Sequence, residues 1–285
     1  MSHNHELALD IIKGAYDLHT HTYPSHFPRA LDDFELVREA DTYGMAGAVI
    51  KCHYETTNAR AALINKYAGA KAKAFGSITL NWPVGGLNPY AAASAIKLGA
   101  KCVWMPTRDA QHSLSFGDMP GDFFERPGIG IFDDNGKIKK NVLEILEIAK
   151  ASGVYVASGH LSAEESIALC LAGAEMKAGV ILTHPDWERT TLPLDIQLQI
   201  ANTGAMIEKL GSNIWDGYIT AEAMAVSLRE LGASRVFMST DCGAAGRIHP
   251  APGMLKFIEQ MLDLGISEKE IRTMTEVNPK HILGE

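Results

Sequence analysis

The sequence has few of the residue types that mark unusual classes of protein. Its 285 residues include only 12 prolines and 26 glycines, which excludes a collagen-like or low-complexity chain. The four cysteines stand far apart and in no paired spacing. They therefore indicate reduced thiols rather than a disulfide framework or a cysteine-rich zinc site. No apolar run approaches the roughly 18–20 residues that would span a bilayer.

Positive charge is also scarce. The chain has 26 lysines and arginines against 34 aspartates and glutamates, a formal net charge of -8. A chain of that sign has no general attraction for phosphate backbones. Residues 1–6 carry neither the basic start nor the apolar stretch of a secretory signal, and we expect His3 and His5 to lie in a disordered polar tail. The sequence predicts a soluble cytoplasmic protein with a small-molecule substrate and no nucleic-acid or membrane partner, and it leaves open a homo-oligomer.

What the sequence does contain is a repeated unit: an amphipathic stretch, a glycine, and a short apolar run rich in β-formers. The eight apolar runs cover residues 15–21, 45–53, 72–81, 101–107, 154–160, 180–184, 205–210 and 236–241. The amphipathic stretches between them include residues 31–42, 89–98, 141–151, 163–176, 194–202 and 221–231. A glycine stands shortly before each of the last seven runs, where we expect it to end a helix in a left-handed conformation.

This alternation predicts the fold class. Parallel strands need helical crossovers, and eight such units in about 250 residues are typical of a (β/α)8 TIM barrel. An open doubly wound sheet is the alternative, but no G-x-G-x-x-G follows the first run, which weakens a dinucleotide-binding interpretation. No linker divides the chain, so we predict a single barrel domain over residues 1–285.

One connection breaks the repeat. Residues 108–140, after the fourth run, are rich in turn formers, and the segment Asp-Asp-Asn-Gly at residues 133–136 is typical of a β-hairpin. In a barrel this long insertion follows the C-terminal end of a strand, where active-site loops lie. We interpret it as a lid over the pocket, and a surface ornament is the alternative.

Histidines fall at the ends of the apolar runs. His19 and His21 close the first run, and their spacing of two directs both side chains to one face of a strand. His160 closes the fifth run, His184 the sixth, and Asp241 the eighth. In a barrel all five converge on the C-terminal mouth. Such a cluster is hard to explain as core packing, and it predicts a site for a first-row divalent metal.

These residues resemble the metal ligands of the amidohydrolase superfamily. Residues 278–284, Asn-Pro-Lys-His-Ile-Leu-Gly, also resemble the Asn-Pro-Ala-x-x-Leu-Gly ending common in these enzymes. The resemblance covers essentially the whole chain. It implies a (β/α)8 barrel, one or two divalent metal ions, and hydrolysis of an amide, ester or related bond. Zinc is the first candidate for the metal, with Mn, Fe, Co or Ni as alternatives.

The resemblance also implies a role for each ligand. His19, His21 and Asp241 would hold the buried ion, while His160 and His184 would hold a second ion or share ligand and substrate-polarising roles. A divalent ion lowers the pKa of bound water to about 7. The candidate catalytic residues are Asp241, which would accept the proton of this water, and His184, which would polarise the scissile carbonyl.

The sequence departs from the superfamily at the bridging ligand. Binuclear members usually carry a carboxylated lysine or a glutamate at the end of strand four, where residues 103–107, Val-Trp-Met-Pro-Thr, offer neither. Lys51, at the end of the second run, is the best substitute. A buried cation beside a metal is costly, and carbamylation would turn Lys51 into an anionic ligand. The alternatives are Lys51 as a substrate-binding cation or Cys52 as the bridge. Strand alternation places Lys51 and His53 on one face and Cys52 on the other, which favours Lys51.

Together these assignments predict a metal-dependent hydrolase of a small amide, lactam, lactone or ester. His53, Trp104 and Arg247 are the candidate substrate-binding residues, because they lie at or just beyond strand ends. A metal-dependent decarboxylase of a small carboxylic acid is the first alternative, since a branch of the superfamily uses nearly the same ligands for that reaction. A phosphoesterase is the second, because residues 17–22, Asp-Leu-His-Thr-His-Thr, also resemble the opening of the polymerase-and-histidinol-phosphatase family.

Overall fold

Eight strands and thirteen α-helices are present in the computed structural model, which describes residues 3–117 and 125–285. The strands are β1 Tyr16–Thr20, β2 Gly47–Ile50, β3 Lys73–Thr79, β4 Ala100–Trp104, β5 Tyr155–Ala157, β6 Val180–Leu182, β7 Met206–Leu210 and β8 Val236–Ser239. The helices are α1 His3–Ile11, α2 Asp33–Thr42, α3 Asn58–Tyr67, α4 Pro89–Lys97, α5 Gln111–Ser115, α6 Lys140–Ala151, α7 Ala163–Met176, α8 Leu194–Asn202, α9 Gly211–Trp215, α10 Ala221–Leu231, α11 Pro250–Asp263, α12 Glu268–Arg272 and α13 Asn278–Leu283. Each strand lies within or at the edge of one of the predicted apolar runs.

The strands form one parallel sheet whose spatial order follows the sequence from β1 to β8. The ring closes between β8 and β1, where Thr20 and Cys242 form a parallel bridge. Beside it the Asp241 N–H donates to the His19 carbonyl and the His21 N–H to the Cys242 carbonyl, both at 2.9 Å. The prediction of a (β/α)8 barrel is confirmed.

Apolar side chains fill two layers of this barrel. Val103, Val156 and Ile207 point outward from the strands into the layer that packs against the helices. Trp104 and Phe237 belong to a second cluster inside the ring of strands. Because this inner cluster fills the barrel below the strand ends, the polar side chains at the mouth lie above a hydrophobic floor.

Local signals define several helix ends. Helix α7 begins with a reciprocal capping box between Ser162 and Glu165, and α12 begins with the same arrangement between Ser267 and Glu270. In each case the serine side chain accepts from one backbone N–H while the glutamate satisfies another. None of the described helices has both the length and the hydrophobicity that a membrane crossing needs.

The N-terminal segment corrects one expectation. Residues 3–11 form helix α1 rather than a disordered tail. Ala8, Ile11 and Ile12 are fully buried in the outer apolar layer, and His5 contacts Glu259 of α11. Positions 8, 11 and 12 have the spacing of one helix face, a pattern that the polar residues at the start of the chain obscure.

The insertion after β4 contains α5 and the predicted hairpin. Phe132 and Ile138 form an antiparallel bridge around the turn, which confirms the hairpin. Asp109, at the start of the insertion, forms a buried ion pair with Arg126, near its middle. Part of the predicted lid, residues 118–124, lies outside the described residues.

Candidate metal centre

Strand β1 brings two histidines to the mouth through an irregularity in its pairing. Its register with β2 shifts between Asp17 and Thr20. At this point Leu18 packs inside the barrel, while the next residue, His19, turns toward His21, with ring centroids 5.4 Å apart. A bulge interrupts the two-residue alternation of a strand in this way, and it places both imidazoles at the mouth.

Asp241, after β8, faces both of these histidines. Its Oδ1 atom lies 3.1 Å from Nε2 of His19 and 3.1 Å from Nε2 of His21. The candidate ligand atoms of these three residues all lie within 4.8 Å of one another. Asp241 also has a φ of +54°, a left-handed value that non-glycine residues rarely adopt and that is often found at functional sites.

Strand β7 contributes a carboxylate that the sequence analysis does not include in the site. Glu208 is fully buried. Its Oε1 lies 3.0 Å from Nδ1 of His19, and its Oε2 accepts a hydrogen bond of 3.0 Å from the backbone N–H of His184. Burial raises the pKa of Glu208, and the nearby Lys51 opposes this shift. One side chain thus orients one histidine and anchors the backbone of another.

Five buried histidines use their Nδ1 atoms for contacts within the protein. Besides the His19–Glu208 contact, these are His21 with the Lys51 carbonyl at 2.9 Å, His53 with Thr107 Oγ1 at 2.9 Å, His160 with Ser113 Oγ at 3.2 Å, and His184 with Thr190 Oγ1 at 2.8 Å. Metal-binding imidazoles are typically held in this way, because a partner on one ring nitrogen fixes the orientation and tautomer of the other. Nε2 is then the nitrogen left for a ligand.

Burial keeps these imidazoles neutral. It lowers the pKa of His19 to about 3, against the opposing attraction of Asp241. It also lowers the pKa values of the other four histidines well below their ordinary value. Since a metal binds neutral imidazole, the histidines have the protonation state that a metal site requires.

The predicted histidines are neighbours around the mouth. Ring centroids lie 4.9 Å apart for His21 and His53, 6.1 Å for His53 and His160, 5.1 Å for His160 and His184, and 6.0 Å for His184 and His19. His53, predicted to contact substrate, is therefore part of the same ring of imidazoles as the predicted ligands.

Lys51 lies against this ring. Its Nζ atom is 2.9 Å from Nε2 of His19 and 4.3 Å from the ring centroid of Trp104. Burial lowers the pKa of Lys51, which favours the neutral amine. Among the described residues, the pocket walls include Lys51 and His53 but not Cys52, in agreement with the predicted strand alternation.

A pocket of about 520 Å³ opens above the histidines. Arg247 lies on its wall, where it forms an ion pair with Asp216 and leaves 52% of its side chain exposed. Trp104 is placed differently: it is 1% exposed and lies beneath His19, with ring centroids 4.9 Å apart. The predicted substrate contact of Trp104 is therefore corrected to a packing contact below the site.

A second buried carboxylate holds the end of β8. Thr240 Oγ1 donates to Asp17 Oδ2 at 2.5 Å, and the backbone N–H groups of Thr240 and His19 donate to Asp17 Oδ1 at 3.2 Å. Burial raises the pKa of Asp17 to about 7. Asp17 thereby ties β1 to the residue that precedes Asp241.

The residues present fit a divalent metal ion. His19 and His21 direct neutral Nε2 atoms at a carboxylate oxygen of Asp241, and imidazole and carboxylate are the usual ligands of Zn²⁺ and related ions. His160 and His184 extend the donor set across the mouth. The contacts of the Nδ1 atoms provide the hydrogen bonds that orient the histidines in such sites.

Comparison with known proteins identifies the family. Residues 14–208 match the family described as a family of unknown function, DUF6282. The chain belongs to DUF6282. The matched segment includes all five histidines of the mouth and Glu208, whereas Asp241 lies beyond it. No curated protein sequence matches this DUF6282 chain.

Solved structures share the fold of the DUF6282 chain. An amidohydrolase from Pseudomonas aeruginosa aligns with a TM-score of 0.65 at 15% identity over 99% of both chains. The probable dipeptidase PvdM from the same organism gives a TM-score of 0.66 at 13% identity, over 99% of this chain and 97% of its own. A 2,6-dihydroxybenzoate decarboxylase gives 0.59 at 12%, over 96% and 100%. The likeness to an amidohydrolase, a probable dipeptidase and a decarboxylase confirms the predicted resemblance at the level of the fold.

Proposed function

We propose that this DUF6282 protein is a metal-dependent hydrolase that cleaves a small amide, lactam, lactone or ester. The observation that carries the proposal is the convergence of two neutral histidine Nε2 atoms on the carboxylate of Asp241, 3.1 Å from each. When bound, a divalent ion supplies a water molecule of lowered pKa and polarises the bond to be broken. Zinc is the first candidate, with Mn, Fe, Co or Ni as alternatives.

The protein side chains would hold the metal, transfer the proton and polarise the substrate. His19, His21 and Asp241 would hold the buried ion, and His160 and His184 a second ion. Asp241 is 31% exposed at the pocket, so it can also accept a proton from the attacking water and pass it to the leaving group. His184 lines the pocket with its Nδ1 held by Thr190, which leaves the Nε2 lone pair for an ion; to polarise the substrate in a single-ion site, Nε2 would have to take up a proton.

Lys51 is the proposed bridging ligand. Its neutral amine can add to carbon dioxide, forming an N–C bond and releasing one proton, and the resulting carbamate carries anionic oxygens. The position of Nζ against His19 Nε2 and the lowered pKa of Lys51 both support this modification. The carbamate would remove the cost of a buried cation beside a metal.

The experiment is metal analysis of the purified protein together with a substrate panel assayed in ¹⁸O-labelled water. We expect about two divalent ions per chain and incorporation of one labelled oxygen atom into a product. Lys51→Ala should lower the content to about one ion, and short carboxylates such as acetate should restore it in part. Unchanged stoichiometry in Lys51→Ala would rule out the bridge, and a protein that binds no transition ion would rule out the function.

A metal-dependent decarboxylase is the second candidate. The 2,6-dihydroxybenzoate decarboxylase shares the fold over its whole length, and the mouth of this barrel can accommodate a small acid. The same panel separates the two reactions, because a decarboxylase releases carbon dioxide without incorporating labelled oxygen from water.

A further inference from the structure

The walls of the pocket are cationic although the chain as a whole is acidic. Apart from Lys51, four lysines and arginines line the pocket against two acidic residues, in a chain whose formal net charge is -8. The cationic residues are Arg108, Arg189, Arg247 and Lys256. Asp216 and Arg247 compensate each other in an ion pair, which leaves Arg108, Arg189 and Lys256 against Asp241 in the described pocket walls. A concave site of one charge sign attracts ligands of the opposite sign.

Arg108 and Arg189 are fixed in this pocket by aromatic rings. The Arg108 guanidinium carbon lies 4.4 Å from the ring centroid of Phe27. That of Arg189 lies 4.9 Å from the ring of Phe116 and 5.2 Å from the ring of Trp187. Stacking holds a guanidinium in one plane and orders it before a ligand arrives. The geometry of a planar guanidinium edge suits a planar carboxylate, which it can bind with two parallel hydrogen bonds.

These arginines are close to the proposed reaction centre. The ring of Trp187, on which Arg189 stacks, lies 5.0 Å from the ring of His160 and 5.1 Å from that of His184. Arg108 follows β4 and Arg189 follows β6, so the strand order places them on either side of the β5 loop that carries His160. A small substrate bound by either arginine could therefore also reach the imidazoles.

A neutral donor lies in the segment after β7, the strand next to β6 in the ring. Asn213, after β7, lines the pocket and is 4% exposed. Within the described parts of the chain, its side-chain nitrogen has no hydrogen-bond partner. Buried donors are nearly always paired, and an oxygen atom of a bound substrate would pair this one.

We propose that the substrate is a small carboxylic acid anion whose carboxylate binds Arg108 and Arg189. This inference deepens the proposed function and rests on the same pocket. It narrows the substrate to an amide, lactam, lactone or ester that carries a free carboxylate away from the bond to be cleaved. A volume of about 520 Å³ suits a molecule of that size.

The test is ligand binding to the full-length protein, both as purified and after dialysis against a chelator. The probes are a series of linear and aromatic monocarboxylates and dicarboxylates, the matching primary amides, and the matching phosphate monoesters. Thermal shift and calorimetry should detect binding of acids in the series, with the matching amides at least about tenfold weaker. Because the site is electrostatic, binding of the acids should also weaken as the salt concentration rises.

The variants are Arg108→Gln and Arg189→Gln, and the matched control is Arg38→Gln. Arg38 also stacks on an aromatic ring, with its guanidinium carbon 5.8 Å from the centroid of Phe34, but it lies on α2, and it is absent from the pocket walls. We expect each pocket variant to weaken acid binding about tenfold or more and the control to leave it unchanged. Arg189→Lys, which keeps the charge and loses the planar edge, should fall between them.

Four results would overturn the inference: no acid of the series binds, acids and amides bind equally, phosphate monoesters bind in place of carboxylates, or both glutamine variants bind acids like the parent protein. Melting temperatures of all variants verify that they are folded. Binding is measured without turnover, so its outcome is independent of the proposed function. A protein that binds acids through these arginines but hydrolyses nothing refutes the hydrolase and leaves the carboxylate site intact.

Discussion

Glu208 contacts two candidate metal ligands, through the ring of His19 and the backbone of His184. Glu208→Gln preserves the size of the side chain but offers only one acceptor oxygen where the carboxylate offers two. One of the two contacts is then lost, and we expect metal affinity to fall about 10- to 100-fold. Competition with a chelator of known affinity measures the change.

The matched control for this variant is Glu147→Gln, on the exposed face of α6, which should bind metal like the parent protein. Circular dichroism establishes that both variants are folded. Equal metal affinity in Glu208→Gln and the parent would show that Glu208 does not position the histidines.

Asp241 permits a conservative test of proton transfer. Asparagine tolerates left-handed backbone better than most residues, so Asp241→Asn should keep the φ of +54° found at this position and still present an oxygen. It cannot accept a proton. We expect kcat on a substrate found with the panel to fall about 100-fold or more, with metal content measured in parallel. Near-normal turnover at normal metal content would exclude Asp241 as the proton acceptor.

At the scale of an element, α5 connects the insertion to the site. Ser113 on this helix lies 3.2 Å from Nδ1 of His160. Ser113→Ala should cost about 0.5–1.5 kcal/mol of stability, the net value of one hydrogen bond. Binding of the second ion should weaken about tenfold, because His160 loses its orienting partner. Metal titration followed by calorimetry measures both steps of binding.

The same helix provides the control. Ser115 Oγ donates to the carbonyl of His112 at an exposed position, so Ser115→Ala removes a serine hydroxyl without touching the site. A titration in which Ser113→Ala and Ser115→Ala behave alike would show that α5 has no part in positioning His160.

The end of α7 stores strain that can be removed. Its C-terminal cap is Lys177, an exposed residue with a φ of +57°, and left-handed backbone is costly for a side chain with a Cβ atom. Lys177→Gly should therefore stabilise the protein by about 0.5–1 kcal/mol, a rise of about 1–3 °C in Tm. Lys177→Ala keeps the Cβ atom, so its Tm should be close to that of the parent protein. An equal rise in Tm in Lys177→Ala would show that loss of the lysine charge, and not relief of strain, causes the stabilisation.

This cap also shows how far sequence patterns predict elements. The pattern predicts that the glycine before each strand ends the preceding helix. Gly179 does not end α7, because its φ is not positive and Lys177 takes the left-handed position. A Cβ atom at Gly179 would lie 2.8 Å from the ring of Tyr155, so this glycine is required by packing against β5. Tertiary contacts of that kind are not visible in a local pattern.

The sequence predicts the site well where a strand ends in histidine. It predicts the site less well where a strand ends in charged residues. His19 and His21 stand out because few other roles suit two imidazoles on one strand. Glu208 and Lys209 are consecutive and both fully buried, so the sequence alone does not reveal which one faces the barrel interior. The structure resolves this: Lys209 points away and pairs with Asp186 at 2.8 Å, which leaves Glu208 facing the mouth.

At the scale of the whole molecule, the candidate ligands come from strands far apart in the sequence, so a bound ion would cross-link the barrel. Chelation should lower Tm, and added Zn²⁺ at about 100 times its Kd should restore about 2.7 kcal/mol, roughly 5–10 °C in a chain of this size. Differential scanning calorimetry measures the shift. The double variant His19→Ala with His21→Ala should show no metal-dependent shift; a shift of the same size in that variant would place the ion elsewhere.

The closure of the ring between β1 and β8 has a consequence for biosynthesis. Asp241 follows His21 by 220 residues, so at about 5–20 residues per second a ribosome makes the histidines roughly 10–40 s before the aspartate that faces them. During that interval the nascent chain carries His19 and His21, whose imidazoles can bind divalent cations. It does not yet have the contact between β1 and β8 that places Asp241 beside them. An ion held by His19, His21 and Asp241 would therefore be acquired only after the contact between β1 and β8 forms. We expect protein overproduced in copper-rich medium to carry a larger copper fraction than protein made slowly, as measured by metal analysis.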